Sequence, residues 1–332
     1  GGFFQMKKII TAVAAVAMAG SLFAADVAAK VQIAGSLFNL KDSKVTALNV
    51  KDDATESYKA AVQMTVSGDK AGASVSYANK PALTQVSHSI WFAPIDALKI
   101  TVGNVDTSLV QEKMDYCNSE THFEPGYGYK VAVNASGFGF EALLKADTNW
   151  LNDGKIDDTG VKVGYSADFG TVSALFEMKE NAKKLAFGAA FEGNAGGVSY
   201  FVDAMGYMAS SKFTNIHAEA YCSTSIDAIG ISVFLPFSYA LDKAAWYNQS
   251  WHVGASTTEG AQLGTTAKVT FPVAGVNGYV YVKENDWLNF DSVEVKPGVT
   301  GSCGAMNYEV AIDMNIGKKF TLNVPVTYTV NF

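Results

Sequence analysis

The last twelve residues of the chain, TLNVPVTYTVNF, alternate between apolar and polar side chains, with Pro325 as the one exception on the polar face. A period of two is the repeat of a β-strand, so this segment predicts a strand with one apolar face and one polar face. The alternation continues to the final residue, whereas the ends of soluble domains usually fray. We therefore expect a strand whose apolar face is covered along its whole length.

The same alternation recurs along the rest of the chain and predicts many short strands separated by turn residues. Examples are KVQIAGSLF, YKVAVNA, TVSALFEM and GYVYVKE. Each apolar stripe is close to the roughly 9–11 residues that a tilted strand needs to cross a bilayer. Tight turns rich in Gly and Asp alternate with longer polar loops, and the longer ones are 41–55, 106–126, 147–158, 240–259 and 284–291.

Short turns on one side and long loops on the other are typical of a transmembrane antiparallel β-barrel. The fold class is therefore predicted to be all-β, with about 18 strands. Sixteen strands is the second choice. The region 240–260 reads either as one long loop or as a loop that contains a further strand. A soluble β-sandwich would give similar alternation. Aromatic residues at many strand ends, and the need to pair every edge, favour the closed barrel.

The beginning of the chain predicts export. Lys7 and Lys8 precede an apolar run that ends in small residues, as in a secretory signal peptide. Residues 1–25 are assigned to this signal region, and 26–332 to a single barrel domain; a membrane anchor is the alternative for the first segment. The formal net charge is −7 and every basic residue is Lys, which does not favour a nucleic-acid partner.

The terminal strand also contains a motif. Tyr328, Val330 and the final Phe332 resemble the C-terminal assembly signal of bacterial outer-membrane β-barrels. With the export signal and the strand ladder, the chain resembles porin-like outer-membrane proteins over nearly its whole length after residue 25. This resemblance implies a cell outer membrane location, insertion by the barrel-assembly machinery, contact with outer-membrane lipid, and a homotrimer. It also implies passive diffusion of small hydrophilic solutes and ions, without a cofactor.

In such a barrel the polar faces would line the lumen, and their charges divide by sequence position. A basic arc comes first and an acidic arc follows, which would create a transverse field in the pore. The alternative is that these are only solvated wall residues. The basic arc is Lys30, Lys59, Lys99, Lys130, Lys145 and Lys162; the acidic arc is Glu177, Glu192, Asp203 and Glu219.

The long segment 106–126 is the third long loop, the one that folds into the barrel in porins. By loop order and composition, the resemblance makes it a candidate constriction loop facing the lysine-rich wall. An outward surface loop is the alternative. Its acidic residues are Asp106, Glu112, Asp115, Glu120 and Glu124.

The sequence gives little support for a metal site or an enzyme active site. The segment DTNWLNDGKIDD resembles part of a calcium loop but lacks two of the required ligands, and no histidine pair has a metal-ligand spacing. We therefore predict no metal site, no cofactor and no catalytic residues. The predicted function is a diffusion channel with weak preference for cations; an outer-membrane protease or phospholipase, or an adhesin, is the alternative.

Overall fold

The structure is a computed structural model. It describes residues 26–41, 44–49, 60–80, 82–110, 122–145, 158–179, 183–241, 260–284, 286–290, 292–304, 306–317 and 321–331. The predicted signal region therefore lies outside the described residues. Within the described ranges, no helix has the length and apolar character needed to cross a membrane.

Nearly all of the described chain is β-strand, in 21 segments that belong to one antiparallel sheet. The segments are β1 Asp26–Lys41, β2 Lys44–Asn49, β3 Ala60–Ser67, β4 Ala71–Lys80, β5 Ala82–Ile95, β6 Leu98–Ser108, β7 His122–Ala135, β8 Phe138–Lys145, β9 Thr159–Ala167, β10 Gly170–Lys179, β11 Lys184–Ala195, β12 Val198–Ala209, β13 Lys212–Ile226, β14 Ile229–Ala240, β15 Gly260–Leu263, β16 Thr265–Val273, β17 Val276–Glu284, β18 Ser292–Cys303, β19 Met306–Ala311, β20 Asp313–Gly317 and β21 Thr321–Asn331.

The sheet closes on itself because the first segment, β1, pairs with the last, β21, from Lys30 opposite Asn331 to Leu40 opposite Leu322. Closure leaves no open edge, which is the condition for a sheet surrounded by hydrocarbon. Apart from three positions where two segments share one place in the wall, consecutive segments pair all the way round, so the barrel is of the simple up-and-down kind.

Three positions in the wall are each shared by two segments. β2 and β3 both pair with β1, β15 and β16 with β14, and β19 and β20 with β18. The described segments therefore form 18 wall strands, in agreement with the first choice from the sequence. The sequence expected one long loop over 41–55, but β2 occupies part of it. The loop at 284–291 contains a short 3-10 helix, Trp287–Asn289.

The two ends of the barrel differ as predicted. At one end, eight hairpins of the described chain connect in two or three residues, for example at Ser136–Gly137 and Asp168–Phe169. We call this the turn end, and the opposite end the loop end. Asp26 and Asn331 both lie at the turn end, since Asp26 pairs with Ser67 and Asn331 with Lys30.

Burial alternates along the strands and identifies the two faces. On β12, Val202 is 51% exposed while its neighbour Asp203 is 6% exposed. Exposed side chains such as Val202 point outward, and many of them are large and apolar, including Phe176, Phe187 and Leu235. The sequence prediction that apolar stripes face outward is confirmed. His88 is also on the outer face, where its ring bonds to the Tyr127 hydroxyl.

The inner face departs from expectation on one side. The sequence predicted that polar faces line the lumen, but the inward side chains of β8–β14 include a contiguous apolar cluster. Leu143, Leu175 and Phe234 are each no more than 2% exposed. The reason lies in segment 106–110, which folds against this wall.

Candidate functional site: the inward segment and the lumen wall

Residues 106–110 are the last three residues of β6, where Thr107 and Ser108 pair with Phe123 and His122 of β7, and the two residues that follow; this stretch lies against the inner wall. We call them the inward segment. Four consecutive residues are each bonded to a different wall strand. The Asp106 carbonyl accepts from Lys130 on β7 at 2.9 Å, and the Thr107 hydroxyl donates to Glu141 on β8 at 2.6 Å.

The next two residues continue this crossing. The Lys162 ammonium on β9 donates to the Ser108 carbonyl at 2.6 Å, and the Ser173 hydroxyl on β10 donates to the Leu109 carbonyl at 3.0 Å. The inward segment therefore lies across β7 to β10 on the lumen side.

Apolar burial adds to these bonds. Leu109 is 0% exposed and Val110 1%, although a residue just beyond a strand end would usually meet solvent. They pack with an apolar set on β8–β14 that we call the loop seat: Leu143, Leu175, Ala186, Ala190, Phe201, Met205, Tyr207, Tyr221 and Phe234. Burying one Leu side chain stabilises by about 1.5–3 kcal/mol, so the seat holds the segment more firmly than any one of its hydrogen bonds.

A glycine allows the close approach. A Cβ at Gly188 on β11 would lie 3.0 Å from the Leu109 side chain and 2.3 Å from that of Met205. The absence of a side chain there leaves room for the inward segment against the wall. Sequence reasoning treated Gly188 only as part of a strand.

The described members of the predicted basic arc all point inward, but they do not form an open row of charge. Lys130 pairs with Glu141 at 2.9 Å and Lys145 with Asp158 at 3.1 Å. Lys162 is bonded to the inward segment, as above. Lys99 is exposed and lies over the Trp91 ring at 4.5 Å. The side chain of Lys30 on β1, and all of Lys59, lie outside the described part.

The predicted acidic arc also points inward, from four neighbouring strands, β10–β13, on the same side as the loop seat. Glu177, Asp203 and Glu219 are 1%, 6% and 3% exposed, and Glu192 is half-buried. Asp203 lies directly opposite Glu219 in the pairing of β12 with β13. These carboxylates are therefore held below the surface of the wall, which the sequence did not predict.

The wall formed by β16–β19 is built differently. Lys296, 5% exposed, pairs with Glu309 at 3.3 Å, and the Tyr279 hydroxyl donates to the same carboxylate. Lys268 lies over the Tyr279 ring at 5.2 Å. Tyr281 is 1% exposed. In this lumen wall, Lys296, Glu309 and Tyr279 bond to one another rather than to the inward segment.

Several predicted residues cannot be placed further. Glu112, Asp115, Glu120 and Phe332 lie outside the described residues, and Glu124 is in β7 without a described side chain. Tyr328 and Val330 belong to β21, where Tyr328 pairs with Ile33 and Val330 with Val31. Among the described residues no group of three or more His, Cys, Asp or Glu could hold a metal ion.

Comparison with known proteins identifies the barrel class by structure rather than by sequence. No protein-family model matches the chain, and no curated protein is similar to it in sequence. Among solved structures, the outer membrane protein OpdK of Pseudomonas aeruginosa matches at a TM-score of 0.53, with 9% identity over 92% of this chain and 98% of that one. The chain has the porin barrel fold.

Two further porin-like structures support the same fold. Pseudomonas aeruginosa OccK2, solved in complex with glucuronate, matches at a TM-score of 0.56, with 8% identity over 93% of this chain and 98% of its own. A mutant of the Rh. blastica porin matches at 0.53, with 12% identity over 92% of this chain and all of the porin. Identity this low establishes the fold only.

The loop seat is the main feature that the sequence analysis missed. One signal was available. Segments such as SALFEM and YFVDAMGYM carry apolar residues on both faces, and a strand covered on both sides reads as a nearly continuous apolar run. That pattern predicts an inner wall covered by another part of the chain, but it does not identify the residues that cover it.

Proposed function

We propose that the protein is an outer-membrane porin, a water-filled channel through which small hydrophilic solutes and ions diffuse passively. The observation that supports this most strongly is the combination of a closed 18-strand wall, outward apolar side chains and inward charged ones. A barrel of this size is wide enough to leave a lumen between its side chains. No step of chemistry is required, and none is proposed.

The inward segment is proposed to be the start of the constriction. It brings residues 106–110 from the rim onto the lumen wall, where a narrowing selects solutes by size. Asp106, Glu112, Asp115, Glu120 and Glu124 would then add negative charge at the narrowest level. Together with the carboxylates of the acidic arc, this supports weak preference for cations.

The surrounding assembly belongs to the same proposal. We infer insertion of the mature barrel, 26–332, into the cell outer membrane by the barrel-assembly machinery after removal of residues 1–25. Tyr328, Val330 and Phe332 would be the assembly signal. Outer-membrane lipid would then cover the outward apolar side chains, and a homotrimer is the proposed oligomer.

Single-channel recording tests the proposal. Folded protein reconstituted in a planar lipid bilayer should give stepwise conductance, and a potassium chloride gradient should give a reversal potential of the sign expected for cations. The matched control is the same preparation after heat unfolding. Folded barrels that insert without any conductance step would overturn the channel function.

A further inference from the structure

A shallow pocket lies on the inner wall of the barrel, at the turn end of β17–β19. Its volume is about 470 Å³, within the range of roughly 300–1,000 Å³ that is usual for small-molecule sites. The polar side chains that line it from the lumen side are Asn277, Thr300, Ser302, Asn307, Glu309 and Thr329.

The alternation along the strands places these side chains in the lumen. Val282 on β17 is exposed on the outer face and pairs with Val295 on β18, so the next residue, Lys296, points inward. Thr300 and Ser302 share the face of Lys296, because residues two apart along a strand point the same way. Their partners across the sheet share it too: Asn277 is opposite Thr300, Thr300 is opposite Glu309, Ser302 is opposite Asn307, and Asn307 is opposite Thr329.

These polar side chains form two neighbouring rows. Each row crosses three adjacent strands, which are about 4.8 Å apart, so each row is roughly 10 Å long. The two rows are separated by two residues along the strands, which corresponds to roughly 7 Å. One small solute in the pocket can therefore contact several of these side chains at once.

The most exposed polar groups of the pocket are uncharged. Asn277, Ser302 and Asn307 are exposed to the lumen, and none of the described residues that line the pocket is basic. An amide side chain both donates and accepts hydrogen bonds, and so does a hydroxyl. These groups therefore match a solute that carries many hydroxyls, since each of its hydroxyls also donates and accepts.

The carboxylate of the pocket is offset by its neighbours in the wall. Glu309 accepts from the Lys296 ammonium at 3.3 Å and from the Tyr279 hydroxyl, and both contacts are made to its Oε1 atom. Lys296 is 5% exposed, so it presents little positive charge to a solute. The other carboxylate oxygen, Oε2, is bonded to neither of these groups and can accept from a solute hydroxyl, because the Glu309 side chain is 30% exposed.

We propose that this pocket binds a neutral sugar that diffuses through the channel. The amides of Asn277 and Asn307 and the Glu309 carboxylate bond to its hydroxyls. An anionic solute would find no exposed cation here, and an apolar solute would leave the amides without hydrogen bonds. A cationic solute would meet Glu309, but Lys296 already offsets that charge. The site rests on the proposed channel function, since the sugar reaches it through the lumen.

Saturation-transfer NMR of the folded barrel, in a detergent without a sugar head group, measures this binding in solution. Galactose is the neutral probe. Tetraethylene glycol, which has a similar mass but ether oxygens in place of most hydroxyls, is the control for size. Galactosamine and galacturonate are the controls for charge. Saturation transfer to galactose should exceed the transfer to each of the other solutes.

Substitutions in the pocket test its position, each with a matched control. The double variant N277A/N307A should raise the dissociation constant for galactose by roughly fivefold for each amide removed. Asn194→Ala should not, although Asn194 is also an exposed amide on the inner face at the turn end. Ser302→Trp fills the pocket and should abolish binding, whereas Ser225→Trp, at the same place in the β13–β14 hairpin, should not. Gel mobility before and after heating verifies that each variant is folded.

Three results would overturn the proposal. The first is equal saturation transfer to galactose and to the glycol, which would show that the hydroxyls are not recognised. The second is an equal loss of binding in N194A and in the double variant, which would place the site elsewhere. The third is stronger transfer to galactosamine or galacturonate, which would show that the pocket selects a charged solute.

Conductance of the unsubstituted barrel separates this proposal from the channel function. Barrels that conduct but show no preference for galactose would overturn the sugar site alone. Barrels that bind galactose but give no conductance step would overturn the channel alone.

Discussion

Two parts of the lumen wall bury their inward side chains by different means. The wall of β8–β14 contains the apolar loop seat, and the inward segment packs on this seat, so that Leu109 is 0% exposed. The wall of β16–β19 is covered by its own side chains, through the Lys296–Glu309 pair and the tyrosines beside it. The same alternating strand pattern therefore lines the lumen in two ways. One wall packs against another segment of the chain, and the other forms ion pairs and hydrogen bonds among its own side chains.

The difference has a consequence for stability. In the wall of β8–β14, the loop seat and the inward segment stabilise each other by packing, as two layers of a protein core do. On the other side, each polar group depends on an immediate neighbour across the sheet. We therefore expect changes on the first side to alter the pore, and changes on the second side to alter the stability of the barrel.

The largest effect is expected for Leu109→Asp. Removing a buried Leu side chain costs about 2–5 kcal/mol, and an uncompensated charge in its place costs more. The inward segment should leave the loop seat, and single-channel conductance should rise and become noisier. Leu288→Asp is the control, because Leu288 is 57% exposed in the loop at 286–290. Unchanged conductance in the Leu109 variant would contradict the role of the seat.

A smaller effect is expected for Lys296→Met on the opposite wall. Breaking a buried ion pair costs about 3–5 kcal/mol, and because the Glu309 side chain is 30% exposed we expect about 2 kcal/mol. Urea unfolding of the barrel in lipid vesicles measures this loss, and conductance should stay nearly constant. The double variant K296M/E309Q should recover most of the loss; a double variant as unstable as the single one would show that the pair is not its cause.

Ser173→Ala tests how much one hydrogen bond contributes to holding the inward segment on the loop seat. It removes only the hydrogen bond to the Leu109 carbonyl, for which we expect about 1 kcal/mol. The seat itself remains, so the segment should stay in place, with a slight increase in conductance noise. Ser199→Ala, which removes an exposed hydrogen bond to Asn194, is the matched control. A conductance as high as that of the Leu109 variant would mean that the bond, rather than the seat, holds the segment.

The smallest effect is expected away from both walls, at the turn end. Lys70 bonds to Asp96 and lowers the pKa of that carboxyl below its ordinary value. Because the folded-state pKa is depressed, any stabilisation is present above the unfolded pKa and is lost as pH falls through the folded one. Carboxyl NMR should show Asp96 titrating below the normal range for Asp, and K70Q should return it there. Conductance should not change across this range, since the pair is at the barrel rim.

Much of the fold could be read from the sequence because side chains alternate strictly in a strand. The outward stripes, the 18 wall strands and the alternation of turns and loops all follow from a period of two with turn residues at its breaks. The same alternation placed Lys130, Lys162, Glu177 and Asp203 on the inner face. It could not indicate which of these charges meet water, since that depends on what lies across the lumen.

The sequence by itself determined the two faces of each strand and the order of strands around the wall, because both are local properties of a chain that folds back on its neighbour. Only the tertiary structure decided that residues 106–109 bond to β7–β10 and that Leu109 is buried in one cluster with Leu175 and Phe201. That contact joins residues more than sixty positions apart, and no local pattern specifies it. The curvature of the closed barrel brings those surfaces together, and burial of the apolar side chains then stabilises the contact.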